Sequence, residues 1–189
     1  MKKVWEKRIT LGAREIALIG LMAATLECGK LVLSALPNIE VVTLLCALYG
    51  YVFGPYGVMA AAVFVCIEPL IWGFGSWIIT YIVYWPSVAL VFMLLKRRGV
   101  TRRLPLTAVA VGMTVAFGLV SSVVDSAFYL GINEHYFKNL VIYYLRGLPF
   151  YIAQIVTGAA LFPTLFPLLS SRLGRISDKI FSPREQKNQ

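Results

Sequence analysis

Residues 77–105 read WIITYIVYWPSVALVFMLLKRRGVTRRLP, an apolar run followed at once by a strongly basic segment. The run from Trp77 to Leu95 has the length that a helix needs to cross a bilayer, roughly 20 apolar residues. The segment after it carries five Lys and Arg residues, which is typical of a cytoplasmic loop. The stretch therefore predicts a membrane-spanning helix that ends on the cytoplasmic side.

The composition of the whole chain agrees with this interpretation. The 189 residues are 59% hydrophobic and only 14% charged, whereas a soluble domain carries about 25% charged residues. Apolar surface in such excess needs lipid as its solvent. We expect an all-α integral membrane protein whose residues 1–189 form one membrane domain.

Apolar runs and glycine- or proline-rich breaks divide the chain into six candidate helices. The breaks include FGPYG at 53–57 and GFGS at 73–76, both built from residues that interrupt helices. Three prolines in the last run are expected to bend it. The predicted helices span about residues 11–36, 38–53, 57–72, 77–95, 106–130 and 141–169, with a basic cytoplasmic tail at 170–189.

The positive charges are distributed as in a polytopic membrane protein. Fifteen of the eighteen Lys and Arg residues lie in three clusters: near the amino terminus, at 96–103, and from 172 to 187. With six spanning helices all three clusters fall on one side, so the positive-inside rule places both termini in the cytoplasm. The membrane topology therefore explains the net charge of +9, which does not indicate a nucleic-acid partner.

Six ionisable residues within the apolar runs are predicted to lie at one depth, near the extracellular face. An intramembrane charge costs about 2.5–3.5 kcal/mol, so it persists where it is paired, snorkels to the surface, or faces a wet cavity. Glu27 and Lys30 could pair locally, being three residues apart on one helix. For the others a shared outward-facing pocket is the favoured interpretation. The ionisable residues are Glu27, Lys30, Glu40, Glu68, Asp125 and Arg146.

Aromatic residues surround the outer turn between the third and fourth predicted helices. Some of them would belong to the aromatic belt at the membrane interface. Trp72 and Trp77 flank glycines in a loop that could close over a ligand. The predicted ligand-binding residues are Asn38, Glu40, Glu68, Trp72, Trp77, Tyr81, Asp125 and Arg146.

Motifs for catalysis and for metal or nucleotide binding do not occur in the sequence. GxxxxGK[ST], HExxH and GxSxG are missing, and the three cysteines lie singly in apolar runs. We therefore expect a binding protein that is not an enzyme and holds neither metal nor cofactor. An intramembrane enzyme that uses the outer acids and a scaffold without a ligand are the alternatives.

Small residues form a stripe along the first helix, at spacings of four, three and four: Ala13, Ala17, Gly20 and Ala24. Such a stripe lets a second helix approach closely. The second helix could belong to the same bundle or to a partner membrane protein.

These features resemble a known family of bacterial transport proteins. A six-helix chain of this length with AREIALIGLMAA early in its first helix is similar to the substrate-binding S-components of energy-coupling factor (ECF) transporters. PNIEVVTLLCALYGYVFGPYG, at 37–57, and EPLIWGFGSW, at 68–77, resemble the cobalamin-type S-components in particular. The resemblance covers about residues 11 to 170.

The resemblance implies a role in vitamin import across the bacterial cell membrane. An S-component captures its vitamin outside the cell and works with a membrane coupling subunit and two cytoplasmic ATPases, which use the ATP. The family's small-xxx-small motif, which contacts the coupling subunit, matches Ala13 and Ala17 here.

Cobalamin is the substrate that the resemblance favours, and the predicted pocket charges agree with it. Acids outnumber bases there, which suits a donor-rich or cationic ligand and repels a carboxylate. A thiamin-like cation would also fit. The glycine-spaced pattern ending in Asp that is associated with folate- and pantothenate-type members is missing. Another small vitamin or precursor, thiamin-like or pantothenate, remains the alternative substrate.

Overall fold

The computed structural model describes residues 11–35 and 41–181, and within these ranges the chain forms helices joined by short connections. Five of the six helices are long and apolar enough to span a bilayer; the second, with 12 residues, is shorter. The chain thus has the architecture of an all-helical, multi-pass membrane protein. The helices are α1 Ala13–Leu33, α2 Val42–Phe53, α3 Pro55–Trp72, α4 Trp77–Arg97, α5 Arg103–Leu130 and α6 Tyr136–Phe181.

Local sequence explains where these helices begin and end. At the sharp turn between α2 and α3, Gly54 has a φ of +60° and Pro55 takes the first position of α3. Positive φ suits glycine, and proline is favoured at the first helical position because its missing N–H would have no partner there. Gly73, with a φ of +79°, ends α3.

The short helix α2 is the centre of the bundle. It packs against each of the other five helices, and eleven of its twelve residues are buried. Because protein surrounds α2 on all sides, it needs neither a lipid-facing stripe nor the length to cross the membrane.

Gly50 allows a close approach of α2 to α4. A Cβ atom at Gly50 would lie 1.9 Å from the carbonyl oxygen of Ala89, so only glycine fits. Gly57 makes a similar approach, because a Cβ there would lie 2.2 Å from the Tyr49 carbonyl carbon. These glycines hold α2, α3 and α4 together as one packed unit.

The last helix extends well beyond its predicted end at residue 169. Residues 170–181 are helical, so the prediction of a tail beginning at residue 170 was wrong. An apolar face continues through this segment, where Gly174 and Ser177 are buried and Phe181 stacks on Tyr56 with ring centroids 5.3 Å apart. Tertiary packing therefore keeps the segment helical despite its basic residues.

The beginning of α1 and the end of α6 meet at one end of the bundle. Arg14 donates a hydrogen bond from Nη1 to the carbonyl oxygen of Ile180, at 3.0 Å. The α4–α5 connection, which carries the central basic cluster, borders the same region through a cavity that it shares with α6. Basic groups distant in sequence thus share one end of the molecule, called here the basic end.

Candidate functional site

A polar cluster lies between α1 and α3, at the opposite end from the basic end. Lys30 of α1 forms an ion pair with Glu68 of α3, whose side chain is fully buried. Three aromatic rings surround the same ammonium: Nζ lies 4.8 Å from the ring centroid of Trp72, 5.2 Å from that of Tyr81 and 5.7 Å from that of Trp77. A carboxylate and aromatic faces both favour a cation, so Lys30 is held by charge and by the ring quadrupoles.

Glu27 adds a second carboxylate to the cluster. It lies three residues before Lys30 on α1, is 93% buried, and accepts a hydrogen bond from Trp72 Nε1 at 3.2 Å. It also lies within electrostatic reach of Glu68. The predicted local pair between Glu27 and Lys30 is not the ion pair that forms, because the ammonium binds the carboxylate of α3 instead.

The cluster contains more acceptors than donors. Glu27 Oε2 and Glu68 Oε1 are both buried and have no hydrogen-bond partner among the described residues. Two carboxyl groups and one ammonium meet here. Buried polar atoms are nearly always hydrogen-bonded in native proteins. These oxygens are therefore suited to accept hydrogen bonds from a donor-rich or cationic ligand.

Asp125 fixes the loop beside the cluster and does not join the cluster directly. Ser76, the residue before α4, donates to Asp125 Oδ1 at 2.6 Å, and Ser121 donates to Oδ2 at 3.4 Å. Asp125 on α5 thus holds the start of α4, where Trp77 contacts Lys30. The structure shows a positioning contact through Ser76, and the role of Asp125 in ligand binding stays a prediction.

The end of α3 and the loop at 73–76 expose aromatic groups near the cluster. Trp72 is 44% exposed and Phe74 is 85% exposed. A Cβ at Gly75 would lie 2.7 Å from Trp77 Nε1, so glycine lets the loop pack on that indole. The indole of Trp72 joins this exposed loop to the buried carboxylate of Glu27.

The structure brings together some of the predicted ligand-binding residues and separates others. Arg146 is exposed, and no hydrogen bond or ion pair of the described residues connects it to the cluster. Its role in ligand binding stays a prediction. Asn38 and Glu40 lie outside the described residues. The residues that meet around Lys30 are Glu68, Trp72, Trp77 and Tyr81.

Two members of the site were missed or misjudged from the sequence. Ser76 was not singled out, although its position directly before a helix and beside two tryptophans was a usable signal. Lys30 was recognised as an intramembrane charge, but its place at the centre of the aromatic cluster depends on how α1 packs against α3.

The stripe of small residues lies on the outer surface of the bundle. All four residues are exposed, and nothing lies within 4 Å of a Cβ built on Gly20. Packing among residues 11–35 and 41–181 therefore does not account for the stripe, which comprises Ala13, Ala17, Gly20 and Ala24.

Among residues 11–35 and 41–181, no group of three or more His, Cys, Asp or Glu side chains is arranged to hold a metal ion. No protein-family model, no curated protein and no solved structure matches the chain.

Proposed function

We propose that this chain is the substrate-binding S-component of an ECF-type importer in a bacterial cell membrane. The observation that carries the proposal is the buried cluster of Glu27, Lys30 and Glu68, with its unpartnered carboxylate oxygens, at one end of an apolar bundle. Charges within a membrane protein commonly mark a ligand pathway, because they are too costly to keep otherwise.

The proposed orientation follows from the charge distribution. The basic end carries residues of all three positive clusters, and the ligand-binding cluster lies at the other end. The positive-inside rule places the basic end, with both termini, in the cytoplasm. The acidic cluster then faces the outside, where a nutrient would be captured.

The proposed ligand is a vitamin rich in hydrogen-bond donors. Cobalamin, with its peripheral amides, is the first candidate through the resemblance of residues 37–57 and 68–77 to cobalamin-type S-components. A thiamin-like cation is the second, because acidic groups outnumber basic ones in the cluster.

The chain would work with a membrane coupling subunit and two ATPases, and it would hydrolyse nothing itself. The exposed stripe on α1 is the proposed docking surface for the coupling subunit, since small side chains let helices approach closely in lipid.

Removing the charge of Glu27 is expected to weaken ligand binding without unfolding the protein. Gln in the Glu27→Gln variant keeps an oxygen for the Trp72 indole and leaves Lys30 paired with Glu68. Losing a hydrogen bond to a charged group costs about 1.5–3 kcal/mol, so affinity should fall at least tenfold. Calorimetric titration of the purified chain with cobalamin and with thiamin measures the effect.

The matched control is Glu134→Gln, which removes the same charge from a side chain that is 85% exposed. We expect its affinity to equal that of the wild type. If neither vitamin binds the wild-type chain, and mass spectrometry finds no small molecule retained through purification, the proposed function is wrong.

Filling the stripe on α1 is expected to abolish transport and leave ligand binding intact. Replacing both Ala13 and Ala17 by leucine would hold a docking helix away from the backbone of α1. Uptake of labelled vitamin by cells that express the complete transporter is measured beside binding by the isolated chain. Ala108→Leu with Ala159→Leu, at exposed positions on α5 and α6, is the control and should transport normally. Normal assembly and uptake in the stripe variant would contradict the proposed docking surface.

A further inference from the structure

A second candidate binding site lies at the basic end of the bundle. A cavity of about 390 Å³ opens there between α2, the end of α4, the start of α5 and the last third of α6. This volume is within the range of small-ligand sites in proteins. The cavity shares no residue with the cluster around Lys30, and the proposed vitamin-binding function makes no use of it.

The cavity has an apolar floor and a basic rim. Its floor consists of buried residues, Val52, Leu106, Phe162 and Phe166. Its rim carries three cations and one acid, together with the hydroxyl groups of Thr101, Ser170 and Ser171. The charged rim residues are Lys96, Arg103, Arg175 and Asp178.

The rim cations are available to bind an anion. Arg103 and Arg175 are exposed, and no ion pair within residues 11–35 and 41–181 engages either guanidinium. Lys96 Nζ lies 4.5 Å from the ring centroid of Tyr51, whose hydroxyl donates to the carbonyl oxygen of Val100 at 2.9 Å. Tyr51 thus fixes the α4–α5 connection and holds the Lys96 ammonium at the cavity.

The position of the rim indicates where its ligand comes from. Lys96 lies in the last turn of α4 and Arg103 begins α5, so both residues lie at the ends of candidate membrane spans. Side chains at this level meet lipid headgroups, and basic pockets between helices on the cytoplasmic side bind anionic headgroups. The apolar floor would at the same time accept hydrocarbon.

We propose that this cavity binds the phosphate group of an anionic phospholipid. The guanidinium groups of Arg103 and Arg175 match phosphate oxygens with paired N–H donors, Lys96 adds a point charge, and the rim hydroxyls donate further hydrogen bonds. One headgroup held between α2, α4, α5 and α6 would join the α5–α6 pair to the rest of the bundle.

Native mass spectrometry of the purified full chain tests this site, with phosphatidylglycerol and phosphatidylcholine as probes. We expect one phosphatidylglycerol to bind the wild type at least fivefold more tightly than phosphatidylcholine. Each basic group near a headgroup contributes about 1 kcal/mol, so Arg103→Gln with Arg175→Gln should weaken phosphatidylglycerol binding roughly thirtyfold. The control, Arg98→Gln with Arg172→Gln, removes two charges from exposed residues outside the cavity lining and should bind as the wild type does.

Competition with sn-glycerol 3-phosphate identifies the source of the phosphate. Failure of this soluble ester to displace the lipid supports a phospholipid, whose acyl chains then contribute to binding. If the ester displaces the lipid at concentrations similar to that of the lipid, the cavity binds phosphate. Its ligand is then a soluble ester, and the proposal of a phospholipid is wrong. The proposed site is wrong if the two double variants lose affinity for phosphatidylglycerol equally. It is also wrong if the wild type shows no preference for phosphatidylglycerol.

Discussion

Replacing Lys30 by methionine is expected to destabilise the folded protein by about 3–5 kcal/mol, the cost of removing one partner from a buried ion pair. The substitution keeps most of the side-chain volume but removes the cation that is paired with Glu68 beside Glu27. Two buried carboxylates would then face each other, with no positive charge among the three aromatic rings. The midpoint of SDS-induced unfolding in mixed micelles measures the loss.

Glu68→Gln provides an informative comparison, because we expect it to cost less than Lys30→Met. In that variant the ammonium can pair with the carboxylate of Glu27 instead, three residues away on the same helix, so one positive and one negative charge remain. Lys138→Met, at an exposed lysine of α6, should stay within about 0.5 kcal/mol of the wild type. A smaller loss for Lys30→Met than for Glu68→Gln would show that the Lys30 ammonium is not the group that stabilises the cluster.

Replacing Gly50 by alanine is expected to cost about 3 kcal/mol or more, at the upper end of what overpacking usually costs. The added Cβ would meet three backbone atoms of Ala89, at 1.9, 2.6 and 2.7 Å. A flexible side chain could rotate away from such a contact, but the backbone of α4 cannot. We therefore expect the two helices to separate and the central helix α2 to lose part of its packing. SDS titration of the purified variant provides the measurement.

Gly112→Ala is the matched control, because nothing lies within 4 Å of a Cβ built there. Alanine is preferred over glycine inside a helix by roughly 0.5–1 kcal/mol, so this variant should be slightly more stable than the wild type. Changes of the same sign and size in both variants would mean that the approach of α2 to α4 does not limit stability.

Most of the fold follows from the sequence, because the signals that define it are local. The apolar runs and the breaks at Gly54, Pro55 and Gly73 placed α2, α3 and α4 within a few residues of their observed bounds. The end of α6 was mispredicted because basic residues were taken as the mark of a tail. Only the three-dimensional contact between Phe181 and Tyr56 explains why the helix continues.

The site could be predicted only in part, for a related reason. Sequence gives the depth of a residue along a helix, and Glu68 was expected near the outer end of the third helix, shortly before Trp72. Sequence does not give the rotation of one helix against another. The partners of Lys30 and the exposed position of Arg146 therefore depend on how the helices pack, which no local sequence pattern encodes.

The division of the bundle into α1–α4 and the α5–α6 pair has a consequence for biosynthesis. The first four helices pack mainly against one another, whereas α5 and α6 pack mainly on each other and reach the rest through α2 and α4. Chains emerge from the ribosome amino terminus first, and units that bury their own surface can fold before the remainder is made. Every described residue that contacts Lys30 belongs to α3 or α4. These direct contacts can therefore form in the membrane while α5 and α6 are still being translated, and Asp125 of α5 binds Ser76 at the start of α4 afterwards.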